Sequence, residues 1–226
     1  MKKAVITVFI ILFLDQFVKI WIKTNMFIGE EIYVIGNWFR IKFIENNGMA
    51  FGMELAGEYG KVFLSIFRIV ACTAIGYYIS ILIKKKAHPG LIITVSMVFA
   101  GALGNIIDSA FYGLIFSESN YMTGNVAEIF PKDGGYAGFL HGKVVDMLYF
   151  PIIETSIPEW IPLVGGKEVL FFRFIFNIAD ASITIGVIIL LLFYRKTLSY
   201  SLLSKKEREI LAQKKLAKEK GLNNEI

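Results

Sequence analysis

Three aspartates stand in or beside long apolar runs of this 226-residue chain: Asp108 in GALGNIIDS, Asp146 in KVVDML and Asp180 in FNIADASI. A carboxylate beside hydrocarbon is costly, so such a residue is rare and faces a partner or a water-filled cavity. Two carboxylates brought close together resist double ionisation and can share one proton. The ionised member then takes a proton from water, while the protonated member polarises a carbonyl. Three acids that could converge therefore suggest a reaction site, provided that the elements carrying them meet at one depth.

Those elements are membrane spans. The chain is 55% hydrophobic with mean hydropathy +0.59, unlike soluble globular chains of this length. Windows of about 20 apolar residues read as membrane helices, and four occur, over about 4–23, 61–83, 90–112 and 171–194. The expected architecture is one polytopic all-α membrane domain over 1–226, with no separate soluble domain. The first span resembles a secretory signal, but Asp15-Gln16 follows its apolar core and no small-residue cleavage motif follows, so it is read as an uncleaved helix. Lys2 and Lys3, Lys84 to Lys86, and Arg195 and Lys196 flank alternate span ends. By the bias of basic residues both termini face the cytoplasm. The outer loops are then 24–60 and 113–170, and 195–226 is a basic cytoplasmic tail, read either as a polar helix at the anionic lipid surface or as a frayed solvated end. The +5 net charge sits in these flanks and argues for membrane topology, not nucleic acid. Cys72 is the only cysteine, and His88 and His141 lie in different loops, so neither an intrachain disulfide nor a Cys- or His-based metal site is expected.

Helical rise of about 1.5 Å per residue places Asp108 near the outer end of the third span. The same rise puts Asp180 within roughly 14 Å of the outer edge, or roughly 9 Å if the fourth helix starts nearer Phe174. Asp146 falls in the outer loop, inside the short apolar stretch 144–150. All three acids are expected in or just above the outer leaflet. Asn105 and Asp108 share a helix face at i,i+3, as do Asn177 and Asp180, so each aspartate has an amide neighbour that could hold it. Asp15 and Lys19 stand at i,i+4, an ion-pair spacing; Gly101 and Gly104 permit close helix approach. In the first outer loop, residues 32–45 read as a small β-hairpin at the membrane surface.

Taken in order, these residues resemble lipoprotein signal peptidase, the type II signal peptidase of bacteria. Asp15-Gln16-Phe17-Val18-Lys19 is similar to the family's D-x-x-x-K, and Asn46-Asn47-Gly48-Met49-Ala50-Phe51-Gly52 to its N-x-G-x-A-F-G. Residues 101–108 resemble G-x-x-G-N-x-x-D, Val144-Val145-Asp146 resembles V-V-D, and Phe176-Asn177-Ile178-Ala179-Asp180 resembles F-N-x-A-D. The resemblance implies four transmembrane helices with a small extracytoplasmic β-cradle, in the bacterial cytoplasmic membrane. It implies an aspartic endopeptidase that cuts prolipoproteins just before the diacylglyceryl-modified cysteine, without cofactor or metal. Asp146 and Asp180 become the catalytic pair. Asp15, Lys19, Asn46, Gly48, Gly104, Asn105, Asp108, Asn177 and Ala179 become supporting or substrate-binding residues. Implied partners are diacylglyceryl-prolipoproteins, membrane lipids and globomycin-type inhibitors, with the protein acting as a monomer.

Two departures from the family pattern stand out. Ser109 occupies the place of a family arginine, and Arg68 or Arg173 are the candidates to substitute. The segments 113–143 and 147–170 are expanded, and are read either as lids over the substrate or as tolerated surface insertions, with Trp160 resting on lipid. The alternative function, a proton-coupled channel or transporter, needs polar residues across the full membrane depth; spans two and four carry few in their inner halves.

Overall fold

A computed structural model of the chain describes all residues except 48–56, 152, 157, 161–165, 167, 172–173, 204–206, 208, 212, 215 and 217–226. Among the described residues, four helices are long and apolar enough to cross a membrane. They are α1 (Lys2–Asn25), α2 (Gly57–Lys84, its apolar span Val62–Lys84), α3 (Pro89–Ile115) and α4 (Ile178–Ser201). Their outer faces are hydrocarbon-facing: Phe9, Phe13 and Phe17 stack at i,i+4 along α1 and are more than half exposed, as are Leu191, Leu192 and Phe193 on α4. Helix α3 is the hub: 44% of its apolar window is buried within the protein, against 17% for each other span.

Close approach to that hub depends on glycine. A Cβ on Gly101 would lie 2.3 Å from the Ala179 carbonyl oxygen, and one on Gly104 would lie 2.7 Å from Asp15 Oδ2. Both distances are impossible for real side chains, so these two positions let α1 and α4 reach the α3 backbone. Past Ile107, α3 widens into a π-helical turn, Asp108–Tyr112, a feature that often accompanies functional sites. The 136–142 segment returns against it. Gly142 N donates to the Ser109 carbonyl (2.9 Å) and Ala137 N to the Gly113 carbonyl (2.9 Å).

The β-cradle is a four-stranded antiparallel sheet in the order β1-β2-β3-β6, with a separate hairpin of β4 and β5. Its strands are β1 (Glu31–Ile35), β2 (Phe39–Asn46), β3 (Val144–Tyr149) and β6 (Ile175–Phe176). The separate hairpin is β4 (Ile153–Ser156) with β5 (Glu168–Phe171). The hairpin expected over 32–45 is therefore present, turning at Gly36 with φ +50. Beneath the sheet lies a core of Ile22, Met26, Phe43, Tyr112, Phe116, Val145 and Met147. A second core, with Ile79, Leu82, Leu91 and Val95, closes the opposite end of the bundle.

One element boundary differs from expectation. The fourth helix begins at Ile178, not near Phe171 or Phe174. The apolar run before it serves as strand: Phe171 ends β5, and Ile175 and Phe176 pair with Tyr149 and Leu148 of β3. Hydropathy alone does not separate a buried strand from a helix end. The stop is at Asn177, whose side chain caps α4. The same ambiguity hides β3, which reads from sequence as loop.

Candidate active site

The boundary shift changes Asp180 most. It is the third residue of α4, about 3 Å below the helix start at a rise of 1.5 Å per residue, not nine residues deep. Asn177 and Asp180 form a capping box. Asn177 Oδ1 accepts from Asp180 N (2.9 Å), and Asp180 Oδ2 accepts from Asn177 N (3.5 Å). The box satisfies two backbone donors that would otherwise be orphaned at a helix start, and it fixes the Asp180 carboxylate at the mouth of the bundle.

Asn177 also reaches the cradle. Its Nδ2 donates to Asp146 Oδ1 at 2.7 Å and to Asn105 Oδ1 at 3.1 Å. From the end of β2, Asn46 Nδ2 donates to Asp146 Oδ2 at 3.2 Å. Asn105 Nδ2 donates to Asp180 Oδ1 at 2.7 Å. Strand β3, helix α3 and the start of α4 thus deliver Asp146, Asn105 and Asp180 to one place. Asp146 is 2% exposed. Burial, and then the negative charge of Asp180, push its carboxyl up to about 7, against the opposing hydrogen bonds from Asn46 and Asn177 and the charge of Lys19.

A buried ion network sets the orientation of these amides. Lys19 Nζ contacts Asp15 Oδ2 at 2.9 Å, Asp108 Oδ2 at 2.7 Å and Asn105 Oδ1 at 2.9 Å, with no side-chain exposure at Lys19, Asp15 or Asp108. An ammonium has three donors and no acceptor, so all three are used and Asn105 must turn its oxygen to Lys19. Its NH2 is then left for Asp180. Asn177 in turn gives its NH2 to Asn105 and Asp146 and keeps its oxygen for the cap. The hydrogen-bond order runs from Lys19 to both candidate catalytic carboxylates without an ambiguous step.

Asp15 holds the fourth helix from a second side. Its Oδ1 accepts from Ala179 N at 2.9 Å, a carboxylate at a helix N-terminus, where the backbone donors and the dipole favour negative charge. Gly104 is the residue that leaves it room. Asp108 is not held by Asn105, as the i,i+3 spacing suggested. Gln16 Nε2 donates to it at 2.9 Å and Val145 N at 3.4 Å, alongside Lys19. Gln16 also accepts from the Tyr112 hydroxyl at 3.2 Å. Neither residue is marked as functional by the sequence patterns, although Gln16 is visible as a second polar residue in an apolar span.

Gly48 and Arg173 lie outside the described residues. Arg68, half-buried on α2, lies within electrostatic reach of Asp180, Asp146 and Asp108. Ser109 is buried and donates its hydroxyl to the Asn105 carbonyl at 3.0 Å, within its own helix. Within 113–143, Phe116 and Ala127 belong to the core under the sheet, which is not how a loose surface insertion packs. Trp160 is 80% exposed. Among the described residues, no three His, Cys, Asp or Glu side chains converge to hold a metal ion.

Residues 7–195 match the model of the signal peptidase (SPase) II family. The chain belongs to the signal peptidase II family. A lipoprotein signal peptidase of Porphyromonas gingivalis is 47% identical over 206 residues, covering 91% of this chain and 88% of the relative. One from Staphylococcus aureus is 31% identical over 207 residues, covering 91% and 92%. A bacterial membrane enzyme solved by the in meso method at 1.9 Å resolution superposes with TM-score 0.52 and 28% identity, covering 84% of this chain and 91% of that one. As a member of the signal peptidase II family the chain is a multi-pass bacterial membrane protease that acts on signal peptides. The channel reading has no support from these likenesses.

Proposed function

We propose that the chain is an aspartic endopeptidase that removes the signal peptide from diacylglyceryl-modified prolipoproteins, with Asp146 and Asp180 as the catalytic pair. The observation that carries this reading is the Asn177 bridge. One side chain holds Asp146 by a 2.7 Å hydrogen bond and caps the helix turn that bears Asp180. With Asp146 raised to about 7, the pair can hold one proton between its members near neutral pH, and the proton belongs to the pair. The ionised carboxylate takes a proton from water as the oxygen attacks the scissile carbonyl. The protonated carboxyl donates to that carbonyl, and a proton then passes to the leaving amine as the C–N bond breaks. Asp15, Lys19, Asn46, Asn105, Asp108, Asn177 and Ala179 position this pair, and Gly104 makes the packing possible. Arg68 supplies the positive charge that the family arginine would bring.

The location suits the substrate. A signal peptide is an apolar helix and the diacylglyceryl chains stay in lipid, so the scissile bond lies near the outer leaflet. Both termini are then cytoplasmic, the cradle is extracytoplasmic, and the protein works as a monomer open to globomycin-type inhibitors. The test is cleavage of a purified prolipoprotein, with and without its diacylglyceryl group, by the purified protein in lipid. A product starting at the lipidated cysteine, blocked by globomycin, is expected. Equal cleavage of the unlipidated form would overturn the substrate assignment.

A further inference from the structure

Under the sheet, on the face opposite Asp146, lies a charged cluster that the network above does not use. Lys23, in the last turn of α1, is fully buried. Its ammonium is ion-paired with Glu45 Oε1 and donates to Ser119 Oγ at 3.0 Å. It is ringed by Tyr136 at 5.1 Å, Phe116 at 5.5 Å and Phe43 at 5.9 Å from the ring centres, cation–π distances. Glu45 has 2% side-chain exposure, with Lys143 Nζ 3.3 Å from its Oε2. Among the described residues that oxygen makes no directed hydrogen bond, and the charge of Lys143 faces it. Phe116, Ser119, Tyr136 and Lys143 all come from the expanded segment between α3 and β3.

Glu45 immediately precedes Asn46, and successive strand side chains point to opposite faces. Asn46 pairs with Val144 and Glu45 with Val145 in the β2–β3 ladder. The end of β2 is thus gripped below by Glu45 and presents Asn46 above, within 3.2 Å of Asp146. We infer that Glu45 is a positioning residue for the catalytic centre, locked by Lys23 and by the 113–143 segment, and that it acts through Asn46. The expanded segment is the wall of this lock. The inference rests on Asp146 being catalytic.

The test is a double-mutant cycle on lipidated substrate in the full-length protein. Glu45→Gln keeps size and removes the charge. It is expected to lower kcat about tenfold with little change in KM, because Asn46 is misplaced and substrate contacts are not. After Asn46→Ala, the same change is expected to cost less than about twofold, since residues acting in one path are not additive. Glu45→Asp, which keeps the charge, is expected to recover part of the loss. The folding control is Leu82→Ala in the distant core, which lowers the melting temperature and leaves kcat near that of the parent protein. An equal kcat loss from Glu45→Gln in both backgrounds, or a lowered melting temperature with kcat intact, would overturn the positioning role. Retained turnover in Asp146→Asn would instead remove the underlying catalytic assignment.

Discussion

Replacing Asp146 by Asn is predicted to stabilise the protein at alkaline pH. Asp146 is 2% exposed, and its carboxyl is raised from 3.8 to about 7, chiefly by burial and then by the charge of Asp180. A folded-state pKa above the unfolded value means that the folded protein binds the proton more tightly. Stability is therefore full below about pH 4, falls as pH rises toward about 7, and is flat above. A carboxyl raised from 3.8 to about 7 corresponds to roughly 4 kcal/mol lost between pH 4 and pH 8. The amide introduced by Asp146→Asn carries no charge and escapes that loss. It also meets two amide donors, Asn46 and Asn177, and leaves its own NH2 poorly paired, a cost of about 1–3 kcal/mol. The variant should gain about 1–3 kcal/mol at pH 8 and gain nothing, or lose stability, at pH 4. Cys72 is the only cysteine and is buried, so a thiol-reactive dye reports unfolding directly. A stability difference between variant and parent that does not change from pH 4 to pH 8 would refute the buried, raised carboxyl.

Other perturbations act on the supports. Lys19→Met leaves Asp15 and Asp108 buried without their cation, and should cost about 3–5 kcal/mol, seen as a large drop in melting temperature or in the folded yield from membranes. Gly104→Ala puts a Cβ 2.7 Å from Asp15 Oδ2 and 3.2 Å from Ala179 Cβ; it should push α1 and α4 off α3, lowering kcat and melting temperature together. Asn177→Ala removes the α4 cap, worth about 0.5–2 kcal/mol, and a hydrogen bond that favours ionised Asp146. The alkaline limb of its residual pH–rate profile, where the pair loses its shared proton, should move to higher pH; an unmoved limb would contradict the bridge.

The site is more legible in the sequence than the boundaries that build it. Hydropathy finds four spans, and i,i+3 and i,i+4 spacings find Asp15–Lys19 and Asn177–Asp180, because those contacts lie within a single helix or its cap. The Asn105 partner is misjudged because it is a contact between helices: Asn105 turns to Asp180 on α4, which spacing along α3 cannot show. Strands β3 and β6 are hidden because a short apolar run fits a buried strand and a helix end equally. Lys23 and Glu45 draw no notice because their pairing joins a helix end to a strand 22 residues on, with the wall supplied by Ser119. The expanded 113–143 segment carries turn residues and few long apolar runs, yet it places Phe116 and Ala127 in the core. Only the folded partner surface reveals that use.

In the proposed mechanism Asp146 and Asp180 are both required for peptide-bond hydrolysis. Single turnover of a lipidated prolipoprotein by Asp146→Asn and Asp180→Asn, each shown to be folded by its thiol-dye melting curve, tests it most directly. Each variant is predicted to bind substrate and to show no cleavage above the uncatalysed background. Turnover within about tenfold of the parent protein in either folded variant, about 1.4 kcal/mol of barrier, would contradict a two-carboxylate mechanism.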